Sequence, residues 1–150
     1  MIKFAKTNEH GIIPTRGTPD SAGIDFYIPK DFEERWLDPG DRILIPSYIK
    51  SKFDSGHALI AFNKSGVSVK QGLDALACVV DADYQGVIHY SLVNTGNDPV
   101  KLSPNQKILQ FILIKTPCHD IAEVPENELY EEETTRGEGG FGSTGETHEK

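Results

Sequence analysis

The sequence predicts an all-β fold of the sandwich or barrel type, and three observations point there. Short apolar segments recur at brief intervals along the first 114 residues. Gly, Pro, Asn and Asp residues punctuate them, as chain reversals between strands require. No stretch longer than about 12 residues holds a 3.6-residue apolar repeat, so helix is expected to be minor.

Taken in order, Met1–Ala5 reads as a first strand, and the turn-rich stretch 14–23 leads into Ile24–Ile28. The turn Asp38-Pro39-Gly40-Asp41 precedes Arg42–Ile49, and Asp54-Ser55-Gly56 precedes His57–Phe62. Leu76–Val80, Val87–Val93 and Ile108–Ile114 complete the series, the last two separated by the loop NTGNDP and the turn SPNQ. Residues 117–135 are rich in Pro and Glu, have few apolar anchors and read as a linker along a surface. The organisation expected is a single domain: a β-barrel core over 1–119, an acidic linker over 120–135 and a glycine-rich arm over 136–150.

A chain of 150 residues is long enough to bury roughly 70% of its unfolded surface in one core. No apolar run approaches the roughly 20 residues of a membrane span, and MIKFAKTNEH has no signal-peptide core. A cytoplasmic protein without a membrane partner is therefore expected. The two cysteines, Cys78 and Cys118, offer neither a disulfide framework nor a metal-ligand spacing. Cys78 sits in an apolar run, where a buried thiol is the default expectation.

The net charge of −8 is placed unevenly. Residues 120–150 hold 10 acidic and 2 basic side chains, and residues 1–119 hold 13 of each, so the C-terminal arm carries the whole excess. With no basic stripe, polymeric nucleic acid is not an expected partner.

Five stretches break the strand pattern. Asp25, in Ala22-Gly23-Ile24-Asp25-Phe26, is either a turn cap or an oriented site carboxylate. Asn63-Lys64-Ser65-Gly66-Val67 puts a cation, a hydroxyl and a glycine after an apolar strand, as a phosphate-binding turn or a plain hairpin would. In Val79-Val80-Asp81-Ala82-Asp83-Tyr84-Gln85-Gly86 an apolar strand runs into carboxylates at the lip of the core. They either cap a loop or orient a water as general base or hold a metal–phosphate complex. Gln110 interrupts the strand Ile108–Ile114, and a buried amide there must bond neighbouring backbone or face a site. Finally, residues 136–145 read RGEGGFGSTG, with five of the chain's fourteen glycines. Such a segment is a flexible tail or a lid that orders over a ligand through glycine amides, Arg136, Phe141 and two hydroxyls.

In this order the five stretches resemble the motifs of the homotrimeric dUTPase family, approximately AGxDL, RSGLA, GVID-x-DYRG, GDRIAQ and RGxGGFGSTG. The chain shows AGIDF, KSGVS, CVVDADYQG, NQKILQ and RGEGGFGSTG, spread over residues 22 to 145. The resemblance implies an all-β, jelly-roll-like β-barrel (β-clip) subunit with a flexible C-terminal arm. It also implies a homotrimer whose active sites are shared between subunits, the arm of one chain closing over a site built from the others. The implied reaction is hydrolysis of dUTP to dUMP and pyrophosphate, with magnesium held mainly by the triphosphate and waters rather than directly by protein ligands. Such an enzyme limits uracil in DNA and supplies dUMP for dTMP synthesis.

Carried over motif by motif, the resemblance makes Asp81 the carboxylate that activates the attacking water. Tyr84 becomes the ring that packs under the deoxyribose and rejects a 2′-hydroxyl. Lys64, Ser65 and Gly66 fall on the phosphate-contacting turn, and Cys78 and His89 on the hairpin whose main chain reads uracil. Arg136 falls on a phosphate contact, Phe141 on the ring that stacks on uracil, and Gly142, Ser143 and Thr144 on the loop over the γ-phosphate. Asp25 and Gln110 occupy supporting positions, Gln110 being counted among the substrate-binding residues. The chain departs from the pattern at Lys64 and Lys107, where the family usually has arginine, and at Cys78, where glycine is common. Lysine keeps the charge but loses the planar two-pronged donor.

Two other functions are compatible with the same scaffold. A dCTP deaminase shares the fold and trimer, but those relatives lack this Phe-bearing glycine arm. A binding or regulatory protein could use the scaffold without catalysis, with residues 29–36 (PKDFEERW) as a candidate insertion. The retention of Asp81, Tyr84 and the arm favours the hydrolase over both.

Overall fold

The structure, a computed structural model, describes residues 1–140. The chain divides into two units, Met1–Cys118 and His119–Lys150. The first unit holds twelve strands and one short helix. In chain order the strands are β1 (Lys3–Lys6), β2 (Thr15–Arg16), β3 (Ile24–Tyr27), β4 (Arg35–Leu37), β5 (Arg42–Pro46) and β6 (Ile49–Lys52). Then come β7 (His57–Asn63), the helix α1 (Ser65–Gln71), β8 (Leu73–Ala77), β9 (Val79–Asp81), β10 (His89–Asn94), β11 (Val100–Leu102) and β12 (Lys107–Lys115).

A five-stranded sheet runs in the order β2-β3-β12-β7-β9, and a three-stranded sheet in the order β5-β10-β8. Two further pairs, β1-β6 and β11-β4, complete the all-antiparallel set. Alternation is clearest in β10, HYSLVN, where Tyr90, Leu92 and Asn94 are buried. Such a strand has one face on the core and one outside. The core gathers residues of both larger sheets around an aromatic cluster. Phe26 of β3 lies 4.6 Å from Phe111 of β12 and 6.1 Å, edge to face, from Tyr90 of β10. Tyr90 keeps a partner for its hydroxyl, which donates to the Tyr27 carbonyl at 3.1 Å, and burial pushes its phenol far above the ordinary range.

The structure departs from the expected strands in informative places. The segment Arg42–Ile49 is interrupted, because Ser47 and Tyr48 form a kink between β5 and β6. Tyr48 takes a left-handed φ of 58°, and the Ser47 hydroxyl accepts from the Ile49 amide at 3.0 Å. The expected strand Leu76–Val80 is two strands in two sheets: β8 pairs with β10, and β9 pairs with β7. Cys78 sits at the crossing between them. Its carbonyl accepts from the Ala61 amide at 2.7 Å, and the residue is exposed. The buried thiol expected there is thus corrected: the apolar run around Cys78 is one chain changing sheets. The stretch Asn63–Val67, read as a turn, instead runs into the helix α1 at Ser65, which is ended by Gly72 at φ 70° with its amide on the Ser68 carbonyl.

Residues 119–140 are described on their own. They hold one 3₁₀ turn, Glu126–Glu128, and none of them is buried. A turn at 134–137 is closed by the Gly137 amide on the Thr134 carbonyl at 3.0 Å.

Phe26 is fully buried and meets an aromatic ring from each of three strands, β1, β10 and β12. Phe26→Ala is expected to cost about 3–5 kcal/mol of unfolding free energy, because the cavity cannot collapse between two sheets. Urea denaturation followed by tryptophan fluorescence measures it, and a loss below about 1 kcal/mol would show that the ring is dispensable.

Candidate active site

Two groups of side chains stand out in the unit 1–118. The first is organised by β12. Gln110 lies opposite Asp25 of β3 on one side and Phe62 of β7 on the other. Its amide nitrogen donates to the Asn63 carbonyl at 3.0 Å, so the interrupting polar residue is satisfied by the last residue of β7. Gly23 makes room for it: a Cβ there would lie 1.9 Å from Gln110 Oε1. The helix α1 begins one residue after Lys64, whose carbonyl accepts from Val67 and Ser68 at 2.9 and 2.8 Å. The amides of Ser65 and Gly66 precede the first intrahelical bond and remain available as donors. Gly66 has open space around the position of a Cβ.

Asp25 is the charged centre of this group. Its carboxylate is only 8% exposed, and two ammonium groups share it: Lys64 Nζ on Oδ1, and Lys107 Nζ on Oδ2 at 3.0 Å. Burial works against ionisation of Asp25, but the hydrogen bonds from Lys64 and Lys107, with their charges, outweigh it and hold the carboxyl below its ordinary value of 3.8. Lys107 responds in kind: its hydrogen bond to Asp25 raises it above the ordinary lysine value.

The second group lines a cleft of about 170 Å³ between β9 and β10, bounded by Cys78, Asp81, Tyr84, Val87, Ile88 and His89 among others. Asp81 ends β9 and is exposed, and among the described residues its carboxylate has no hydrogen-bond or ion-pair partner. Tyr84 is 45% exposed, with its amide on the Asp81 carbonyl at 3.2 Å and its hydroxyl donating to the Val87 carbonyl at 3.1 Å. Gly86 permits that ring position, since a Cβ there would lie 2.2 Å from the Tyr84 hydroxyl. A larger cavity of about 440 Å³ opens between α1 and the loop before β11, but none of the side chains singled out in the sequence lines it.

The two groups adjoin through β7 and β12, but Asp81 and Lys64 stand apart within one chain. Asp81 pairs with Ala58 near the start of β7, whereas Lys64 follows Asn63 at its end. Six residues of extended strand put them about 20 Å apart.

Of the residues singled out in the sequence, the structure therefore brings Asp25, Lys64 and Gln110 together beside Ser65 and Gly66. Separately it brings together Cys78, Asp81, Tyr84 and His89. Arg136 belongs to the other unit, where its Nε donates to the Gly139 carbonyl at 2.9 Å. Phe141, Gly142, Ser143 and Thr144 lie outside the described residues. Reading the sequence noted Lys107 only as a departure from a family arginine and missed it as the second partner of Asp25. The signal was a cation at the start of an apolar strand. No three His, Cys, Asp or Glu side chains among the described residues converge as a metal cage.

The dUTPase family profile matches residues 9–145. The deoxyuridine 5′-triphosphate nucleotidohydrolase of Chlamydia pneumoniae is 35% identical over 147 residues, covering 97% of this chain and 99% of that one. That of Yarrowia lipolytica is 34% identical over 149 residues, covering 99% and 92%. Among solved structures, a mutant dUTPase of Staphylococcus bacteriophage 80alpha with dUpNHpp superposes with a TM-score of 0.83 at 20% identity, over 97% and 98% of the two chains. That likeness speaks to the fold, which is all-β and jelly-roll-like as expected.

The shared carboxylate sets an acid signature. Because the folded Asp25 is held below its ordinary value, its contribution is present above 3.8 and is lost as pH falls through the lowered folded value. The stability gap between the wild-type chain and Asp25→Asn should therefore close on acidification. Urea denaturation from about pH 7 down to about pH 2 checks this, and a gap constant across the series would remove the ion pairs from the account.

Proposed function

This chain belongs to the dUTPase family, and from that premise we propose how its own residues hydrolyse dUTP to dUMP and pyrophosphate. The observation that carries the reading is the cleft between β9 and β10, where an unengaged carboxylate, Asp81, stands beside the ring of Tyr84. Asp81 accepts a proton from a water aimed at the α-phosphorus, and pyrophosphate leaves on the opposite side. Orientation of the water and neutralisation of phosphate charge supply most of the acceleration in such a site.

Tyr84 lies against the deoxyribose, where a 2′-hydroxyl would clash. The hairpin backbone around Cys78 and His89 presents alternating donors and acceptors to uracil, and cytosine's reversed pattern would leave buried groups unpaired. Lys64, with the Ser65 and Gly66 amides, neutralises and orients phosphate oxygens, while Asp25 and Gln110 hold that turn. The arm, residues 136–150 beyond an acidic linker, supplies Arg136, Phe141, Gly142, Ser143 and Thr144 to the base and phosphates of a neighbouring site. Magnesium would be held mainly by the triphosphate and its waters, with the Asp81 carboxylate of the cleft nearby, and would neutralise phosphate charge.

The assembly is a homotrimer with sites shared between subunits. The separation of about 20 Å along β7 supports this, because a water at Asp81 and a phosphate clamp at Lys64 must address adjoining phosphorus centres. An exposed Val79 on the edge strand β9 is a further surface suited to a second copy. No helix among the described residues is long and apolar enough to cross a membrane, and a cytoplasmic location is the setting proposed.

Incubation with dUTP, dCTP and UTP, following both pyrophosphate and ammonia, tests the reaction. Pyrophosphate from dUTP alone is expected, and ammonia from dCTP would overturn the assignment. Asp81→Asn should lower kcat by about 10²–10⁴-fold while nucleotide binding persists, and near-normal turnover would exclude Asp81 as base. Deleting residues 136–150 should remove most activity without altering the melting curve. Mixing inactive Asp81→Asn and Lys64→Ala chains should restore activity in about a quarter of the sites by random assortment, if each site draws the two residues from different chains. Mixing after reversible unfolding that yields no recovery would sink the shared site.

A further inference from the structure

We infer that His89 is a positioning residue for sugar selection, acting on Tyr84 through the Val87 carbonyl; this rests on the proposed contact between Tyr84 and the deoxyribose. The loop from Ala82 to Ile88 has no strand or helix to hold it. Ile88 is pinned from one side, its carbonyl accepting from Ser47 at 3.0 Å and its amide donating to Ile49 at 2.9 Å. The preceding carbonyl, that of Val87, is taken by side chains instead. The Tyr84 hydroxyl donates to it at 3.1 Å, and His89 Nδ1 lies 2.8 Å from it.

A carbonyl only accepts, so the hydrogen of this second bond must be on His89 Nδ1. One carbonyl has two lone pairs and can satisfy both donors at once. The His89 ring, anchored on β10, thereby fixes the direction of the Val87 carbonyl, and that carbonyl fixes the tip of the Tyr84 ring. Gly86 leaves the path between them open. Without His89 the carbonyl can rotate, the tyrosine tip loses its fixed acceptor, and the clearance at the 2′ carbon widens.

The test is the ratio of kcat/KM for dUTP over UTP, which a merely structural role would leave unchanged because both substrates would suffer equally. His89→Ala is expected to lower the ratio about tenfold, the worth of one neutral hydrogen bond. Tyr84→Phe, which keeps the ring and removes the hydroxyl, should lower it similarly. The double variant should fall no further than the lower of the two, since both act through one carbonyl. His89→Asn, whose Nδ2 can stand where Nδ1 stood, should restore most of the ratio. Additive losses in the double variant, or an unchanged ratio in His89→Ala, overturns the inference. Tyr84→Ala separates the two levels. A collapsed ratio there beside an unchanged one in His89→Ala defeats the positioning role alone. A ratio retained in Tyr84→Ala defeats the sugar reading of the ring and this inference with it.

Discussion

Strand β12 must satisfy hydrogen-bonding neighbours on both edges while carrying an amide, Gln110, at its centre, and much of the molecule is arranged around that demand. Its two edges bind β3 and β7, so whatever Gln110 needs must come from the ends of those strands. Gly23 gives it space, and Asn63 gives it a carbonyl. The same register sets Asp25 beside Gln110 and starts Lys64 one residue past Asn63, so the buried carboxylate and its first cation are consequences of one strand alignment. A slip of one residue would turn Gln110 and Asp25 to the opposite face of the sheet.

The way Asp25 is neutralised suits a lysine at each position. Each ammonium takes one oxygen of the carboxylate, and each keeps its remaining hydrogens for other acceptors. A guanidinium at either position would compete for both oxygens with its planar pair of donors. The pair Lys64 and Lys107 therefore behaves as a unit: two point charges on one anion, with Lys64 the more enclosed at 25% exposure and Lys107 nearly half exposed. If Lys64 turns toward a phosphate, as proposed, Lys107 would remain in place to hold the carboxylate ionised.

Much of this was legible in the sequence, and the illegible parts have a common cause. The long strands β7, β10 and β12 announce themselves by apolar content, and the turns DPGD and DSG mark where β5 and β7 begin. The polar interruptions at Asp25, Lys64, Asp81 and Gln110 stood out because strand interiors rarely tolerate them unpaired. What no local pattern revealed depends on distant partners. β2, β4 and β11 are two or three residues long and exist through their pairing. The sheet change at Cys78 looks like one continuous strand because apolar residues suit both of its halves. The link from Tyr84 through Val87 to His89 uses a backbone carbonyl, which every residue has and no residue type advertises.

The length of β7 has a consequence for how such a protein would behave at low concentration. If, as proposed, Asp81 activates the water and Lys64 holds a phosphate, their separation of about 20 Å along β7 would let a single folded copy carry both residues and still be unable to close a catalytic centre. Folding and competence then become separate quantities. On dilution past the assembly constant, circular dichroism would report an intact β protein while turnover per chain vanished, with a rate that depends on protein concentration to a power above one. Strand length, a local property, would thereby make the enzyme a gauge of its own abundance.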